Sequence, residues 1–89
     1  MDATSFEFQL SVPREPHAAA IVQKLAVQAA RYAGCGEPGA EAFGRQVEQA
    51  VLSHLNGAHT PGAIPVVVRR YTPGPLEVLV DRKTVALEI

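Results

Sequence analysis

The sequence predicts an α+β fold, a two-layer sandwich with both helices on one face of a mostly antiparallel sheet. Three observations lead there. Residues 6–12 alternate strictly between apolar and polar side chains, two stretches between Pro16 and Asn56 repeat with helical spacing, and from Ile64 a short β-branched run is followed by two more that alternate. The expected order is strand, helix, helix, strand, strand, strand. One-sided alternation leaves a single apolar sheet face, which the helices must cover.

Each element has its own signature. Phe6, Phe8, Leu10 and Val12 fall on one side of the first run and Glu7, Gln9 and Ser11 on the other, as in a half-buried strand. Pro13 and Pro16 stop it, and the fixed φ of Pro16 suits a helix start. From Pro16 to about Ala33 the chain is alanine-rich. Ile21, Leu25, Ala29 and Tyr32 form one apolar stripe, with Val22, Ala26, Ala30 and Ala33 beside it, so this helix is expected to be covered on more than one side. Gly34-Cys35-Gly36 ends it, and Pro38 opens a second helix to about Asn56 whose buried face is Phe43, Val47, Ala50, Val51 and Leu55. Gly57 closes that helix, and Thr60-Pro61-Gly62 makes a turn.

Strands follow at Ile64–Tyr71, 76–81 and 84–89. Pro65 is acceptable at the beginning of a strand or on an edge. Thr72-Pro73-Gly74-Pro75 fits a type II turn with proline second and glycine third. Arg82-Lys83 breaks the next run before Val85, Leu87 and Ile89 resume it.

Residues 1–89 make one small domain, with a mass of 9.5 kDa. With 47% hydrophobic and 19% charged residues, the composition is that of a folded chain rather than a disordered one. A net charge of −1 lacks the basic excess of a generic nucleic-acid binder, so no nucleic-acid partner is expected. The longest apolar run, Ile64 to Val68, is far short of a membrane span, and Met1-Asp2-Ala3-Thr4 lacks the features of a secretory signal. Its single cysteine, Cys35, fits a reducing compartment, and the expected location is cytoplasmic.

Few motifs carry chemistry. Cys35 sits between two glycines as an exposed thiol with no His–Asn or His–Asp pair to activate it. His17, His54 and His59 lack metal-ligand spacing and have no carboxylate or thiol grouped with them, so no metal is expected. Placement near the second helix's C-terminus explains His54 through the helix dipole or partial burial. Arg69 and Arg70 point to opposite faces of a strand and, like Arg82 and Lys83 in a turn, read as solvated charge. Gly34, Gly36 and Gly39 follow a helix rather than a strand, the wrong setting for a phosphate-binding loop. Glu41 and Glu48 lie off the apolar stripe and face solvent, which leaves no acid–base pair.

Taken together, the opening strand with its proline exit (Phe8-Gln9-Leu10-Ser11-Val12-Pro13), a first helix ending in glycine, the helix from Gln46 to Ala58 and the strand Leu76-Glu77-Val78-Leu79-Val80-Asp81 form a familiar series. In this order the chain resembles the anti-sigma-factor serine kinases of bacteria, a branch of the GHKL (histidine-kinase-like) ATPase superfamily. In that family the second helix carries Glu-x-x-x-Asn, the Glu polarising water or substrate and the Asn holding Mg²⁺. A later strand ends in Asp-x-Gly-x-Gly, where the Asp reads adenine and the glycines let the backbone curl around the base. The resemblance places Gln49 at the Glu position, Ser53 at the Asn position and Asp81 at the adenine-reading Asp. Gln49 cannot accept a proton as a base does, and Ser53 is a poorer Mg²⁺ ligand than an amide oxygen. Lys83 and Val85 stand where the two glycines belong. The run reaches Ile89 where the family continues into its ATP lid and final strands.

The resemblance therefore implies a degenerate and truncated GHKL-like domain without catalytic, cofactor-binding or metal-binding residues. Its expected role is a non-catalytic, regulatory module that works by binding a protein partner. One alternative is a nucleotide-binding regulator or serine kinase, using ATP and Mg²⁺, whose site a partner chain completes. Another is an unrelated structural or assembly domain, since so simple an order of elements does not by itself imply a function. A homodimer is also expected, through either the strip Val22, Ala26, Ala30 and Ala33 or the edge Thr84–Ile89, with the helix strip favoured.

Overall fold

A computed structural model describes residues 5–57 and 62–88, and the expectations placed on Met1 to Thr4, on His59, Thr60 and Pro61, and on Ile89 lie outside that range. The observed elements are β1 (Phe6–Val12), α1 (Ala18–Tyr32), α2 (Glu37–Gly57), β2 (Ile64–Arg70), β3 (Leu76–Val80) and β4 (Lys83–Leu87). They form one antiparallel sheet in the order β1-β2-β3-β4. The predicted α+β class and element order are both found.

Alternation does the work in the sheet. Ile64, Val66 and Val68 of β2 and Leu76, Val78 and Val80 of β3 are fully buried under the helices, while the residues between them face the open side. Helix α2 lies over β3 and β4, and α1 packs on α2 and reaches β3. Phe43, Val47 and Val51 are the main contribution of α2 to this core.

The helix ends follow from backbone accounting. At the start of α1 the amides of Ala18, Ala19 and Ala20 donate to the carbonyls of Glu15, Pro16 and His17, a tight turn that satisfies groups the helix leaves unpaired. At its end Gly34 takes φ 99°, its N–H donates to the Arg31 carbonyl, and the Cys35 N–H reaches back to Ala30. That pair of bonds is a Schellman motif, for which a residue at positive φ is required. Pro38 occupies the second position of α2, where a missing N–H costs nothing.

The packing of α1 corrects the expected one. Val22, Ala26, Ala30 and Ala33 are the buried strip, whereas Ile21 and Tyr32 from the other stripe are 41% and 63% exposed. Small residues win the interior because α2 approaches closely. Gly44 of α2 faces α1, and a Cβ there would meet Val27 Cγ2 at 2.4 Å and Gln23 Nε2 at 3.2 Å. The small strip is thus covered within the chain and is no free surface for a dimer.

Other local expectations are also revised. The β2–β3 connection closes through the Gly74 N–H donating to Tyr71 O at 2.7 Å, across a cis Thr72-Pro73 bond. Proline is therefore third in that turn, not second, and the turn is not type II. Arg70 is buried (7% exposed), not solvated. Its Nε donates to the Gly74 carbonyl, and alternation puts it on the core side beside Leu76. Arg69 points to the open side and donates to Glu77 at 2.8 Å, with Glu7 on its other flank. Cys35 is half-buried against the core rather than exposed, and Glu48 is half-buried rather than facing solvent.

Candidate functional site

Two surface features stand out. The first, at positions that the resemblance singles out, is a shallow cleft of about 300 Å³ between the end of α2 and the β3–β4 hairpin, lined in part by Ser53, His54, Asp81, Arg82 and Lys83. Helix α2 brings Ser53 and His54 to it because they follow Ala50 at the edge of the buried stripe. Asp81 arrives there as the first residue of a two-residue hairpin loop. Val80 pairs with Lys83, and Asp81 adopts φ 57°, a conformation that aspartate tolerates in tight turns.

The fold thus brings Ser53 and Asp81 together, but Gln49 does not join them. Gln49 is exposed one turn earlier on α2 and does not line the cleft. Lys83 begins β4 and Val85 lies inside it, so the chain after Asp81 is a paired strand and not a loop able to curl around a base. Contrary to the expectation that no carboxylate accompanies the histidines, His54 Nε2 lies 3.9 Å from Asp81 Oδ2, and His17 Nδ1 lies 3.2 Å from Glu15. The buried His54 Nε2 makes no hydrogen bond. Among the described residues no cluster of three or more His, Cys, Asp or Glu side chains is placed to hold a metal ion. No described helix is long and apolar enough to cross a membrane.

The second feature is an apolar groove of about 340 Å³ between β1 and α1, lined by Phe6, Phe8, Leu25, Gln28, Ala29 and Tyr32. It arises because α1 leans towards α2 and leaves part of β1 uncovered. Phe6 meets the Tyr32 ring edge-on at 5.4 Å between centroids, closing one end, while Phe8 remains 43% exposed. Of the stripe Ile21, Leu25, Ala29 and Tyr32, which the sequence presents as core, Leu25, Ala29 and Tyr32 line this groove and Ile21 is exposed beyond it. Comparison with protein-family models, with curated proteins and with solved structures finds no match. Alternation marks the apolar side of β1 in the sequence, but nothing in the pattern says that its cover stops short.

The groove also borders a free sheet edge. Strand β1 is terminal in the sheet, so one row of its N–H and C=O groups lacks a strand partner among the described residues. Natural edge strands are usually guarded by charged side chains, proline or a bulge, and within Phe6–Val12 the one such residue is Glu7. At the opposite edge, β4 begins with Lys83, and its Val85 and Leu87 pack against the core.

Proposed function

We propose that this chain is a non-catalytic, regulatory protein-interaction module, a degenerate GHKL-like domain that docks a protein partner at the β1–α1 side. The observation that carries this reading is the apolar groove lined by Phe6, Phe8, Leu25 and Tyr32 beside a terminal strand edge whose single charge is Glu7. Exposed apolar patches of this kind are where soluble domains bind other proteins, and a free strand edge adds backbone hydrogen bonds to the same contact. The cleft supports the non-catalytic half of the proposal. Gln49 stands away from it, and the tight Asp81-Arg82 hairpin gives no room for a base-cradling loop.

The test has two arms. Phe8→Ser and Leu25→Ser are expected to abolish capture of the partner from an extract of the native host while leaving the circular dichroism spectrum unchanged. Capture that survives both substitutions places the interaction elsewhere and sinks the docking reading. Millimolar Mg-ATP or Mg-ADP is expected to leave the thermal midpoint where it is. A ligand at a hundredfold excess over its Kd stabilises a fold by about 2.7 kcal/mol, so a clear upward shift would favour the nucleotide-binding alternative.

A further inference from the structure

We infer that the partner at this groove is a second copy of the same chain, joined β1 to β1 across a two-fold axis at Gln9. The inference rests on the docking reading above and specifies its occupant. The argument begins with the pattern of the strand. β1 spans Phe6–Val12, so Gln9 is its central residue. An antiparallel copy centred there sets Phe6 opposite Val12 and Phe8 opposite Leu10 of the second copy, apolar against apolar on the helix side. On the open side Glu7 falls opposite Ser11, and Gln9 meets Gln9. No like charges face each other, and the neutral amides at the axis can hydrogen-bond to one another. A register centred on Glu7 would instead oppose two carboxylates. A shift that changes the parity would turn Phe6 and Phe8 towards the open side. Of the in-face registers, the Gln9-centred one pairs all seven residues of β1.

The same axis also brings the two grooves together. Adjacent strands lie about 4.8 Å apart, so pairing through β1 sets the groove of one copy directly beside that of the other. Phe6, Phe8, Leu25 and Tyr32 line each groove, and the Phe6–Tyr32 contact borders the strand that pairs. Strand edge and groove therefore lie on one side of the molecule and are joined by one contact. The β4 edge lacks this combination, because α2 already covers its apolar side.

Light scattering over a series from low to high micromolar is expected to show a species of twice the 9.5 kDa chain mass. Leu25→Glu and Phe8→Lys should return it to the chain mass with an unchanged circular dichroism spectrum. Register is read by cross-linking in a Cys35→Ala background. Gln9→Cys should form a disulfide-linked dimer under mild oxidation. Glu7→Cys and Ser11→Cys chains should link readily when mixed and poorly when alone. A chain mass at every concentration overturns the inference, as does a dimer that cross-links through Thr84→Cys but not Gln9→Cys. If the chain stays single while Phe8→Ser still abolishes capture of a foreign protein, self-association fails and the docking reading stands.

Discussion

Gly34 shows how one residue can terminate an element. Its φ of 99° is open to glycine and strained for any other residue, and the two hydrogen bonds of the motif depend on it. No atom lies within 4 Å of a Cβ built there, so the cost of Gly34→Ala is conformational and not steric. It is expected to destabilise the fold by about 1 kcal/mol, a fall of roughly 4–8 °C in the thermal midpoint. This residue was legible in the sequence, because glycine directly after an apolar-periodic run has one common use. Arg70 was not. Charge led to a solvated reading, whereas strand alternation put its long aliphatic stem on the core side with a carbonyl near its head.

At the level of elements, the contact between α1 and α2 depends on Gly44. Alanine favours a helix over glycine by about 1 kcal/mol, so on propensity alone Gly44→Ala should stabilise α2. Packing opposes this, because the new Cβ would meet the buried Val27 at 2.4 Å. Overpacking typically costs about 1–3 kcal/mol, so the net expectation is a loss of stability that urea unfolding would register. Gly44→Ala combined with Val27→Ala should recover part of it, and the failure of that recovery would show that the clash is relieved elsewhere. The sequence revealed both helices but not which stripe of α1 turns inward, because both stripes are apolar and periodicity cannot rank them. Residue size decides: α2 comes close enough to exclude Ile21 and Tyr32 but not Val22, Ala26 and Ala30.

For the whole molecule, the decisive contrast is between the core under the sheet and the groove beside it. Phe43 is 1% exposed and Phe8 43%, although each lies on the apolar face of its own element. Phe43→Ala is expected to cost about 3–5 kcal/mol, a large share of the 5–15 kcal/mol that holds a typical domain together. Phe8→Ala should cost under about 1 kcal/mol in the monomer, as surface substitutions do, and denaturant midpoints measured at low protein concentration will separate the two. Equal losses would mean that the groove belongs to the core. Element order and class could be read from the sequence because alternation and helical spacing are local; the order of strands within the sheet could not. The meeting of Ser53 with Asp81 was reachable only through the family resemblance, since α2 and the hairpin are brought together by packing. The groove could not be read at all, because it depends on where a helix comes to rest.

Strand β1 is completed by β2, which follows both helices in the chain. During synthesis the phenylalanines of β1 emerge first, yet their hydrogen-bonding partner is made only after the helical hairpin. Closing so long a loop is entropically unfavourable until the remaining layers offer contacts in return. β1 is therefore expected to dock after the folding barrier is crossed. Leu10→Ala should then accelerate unfolding with little change in the refolding rate, whereas Val51→Ala should slow refolding, and stopped-flow kinetics distinguish the two. A nascent chain with β1 still unpaired exposes the same edge on which the mature protein is proposed to meet its second copy. Neighbouring chains on one messenger RNA would then have the opportunity to pair before either is finished.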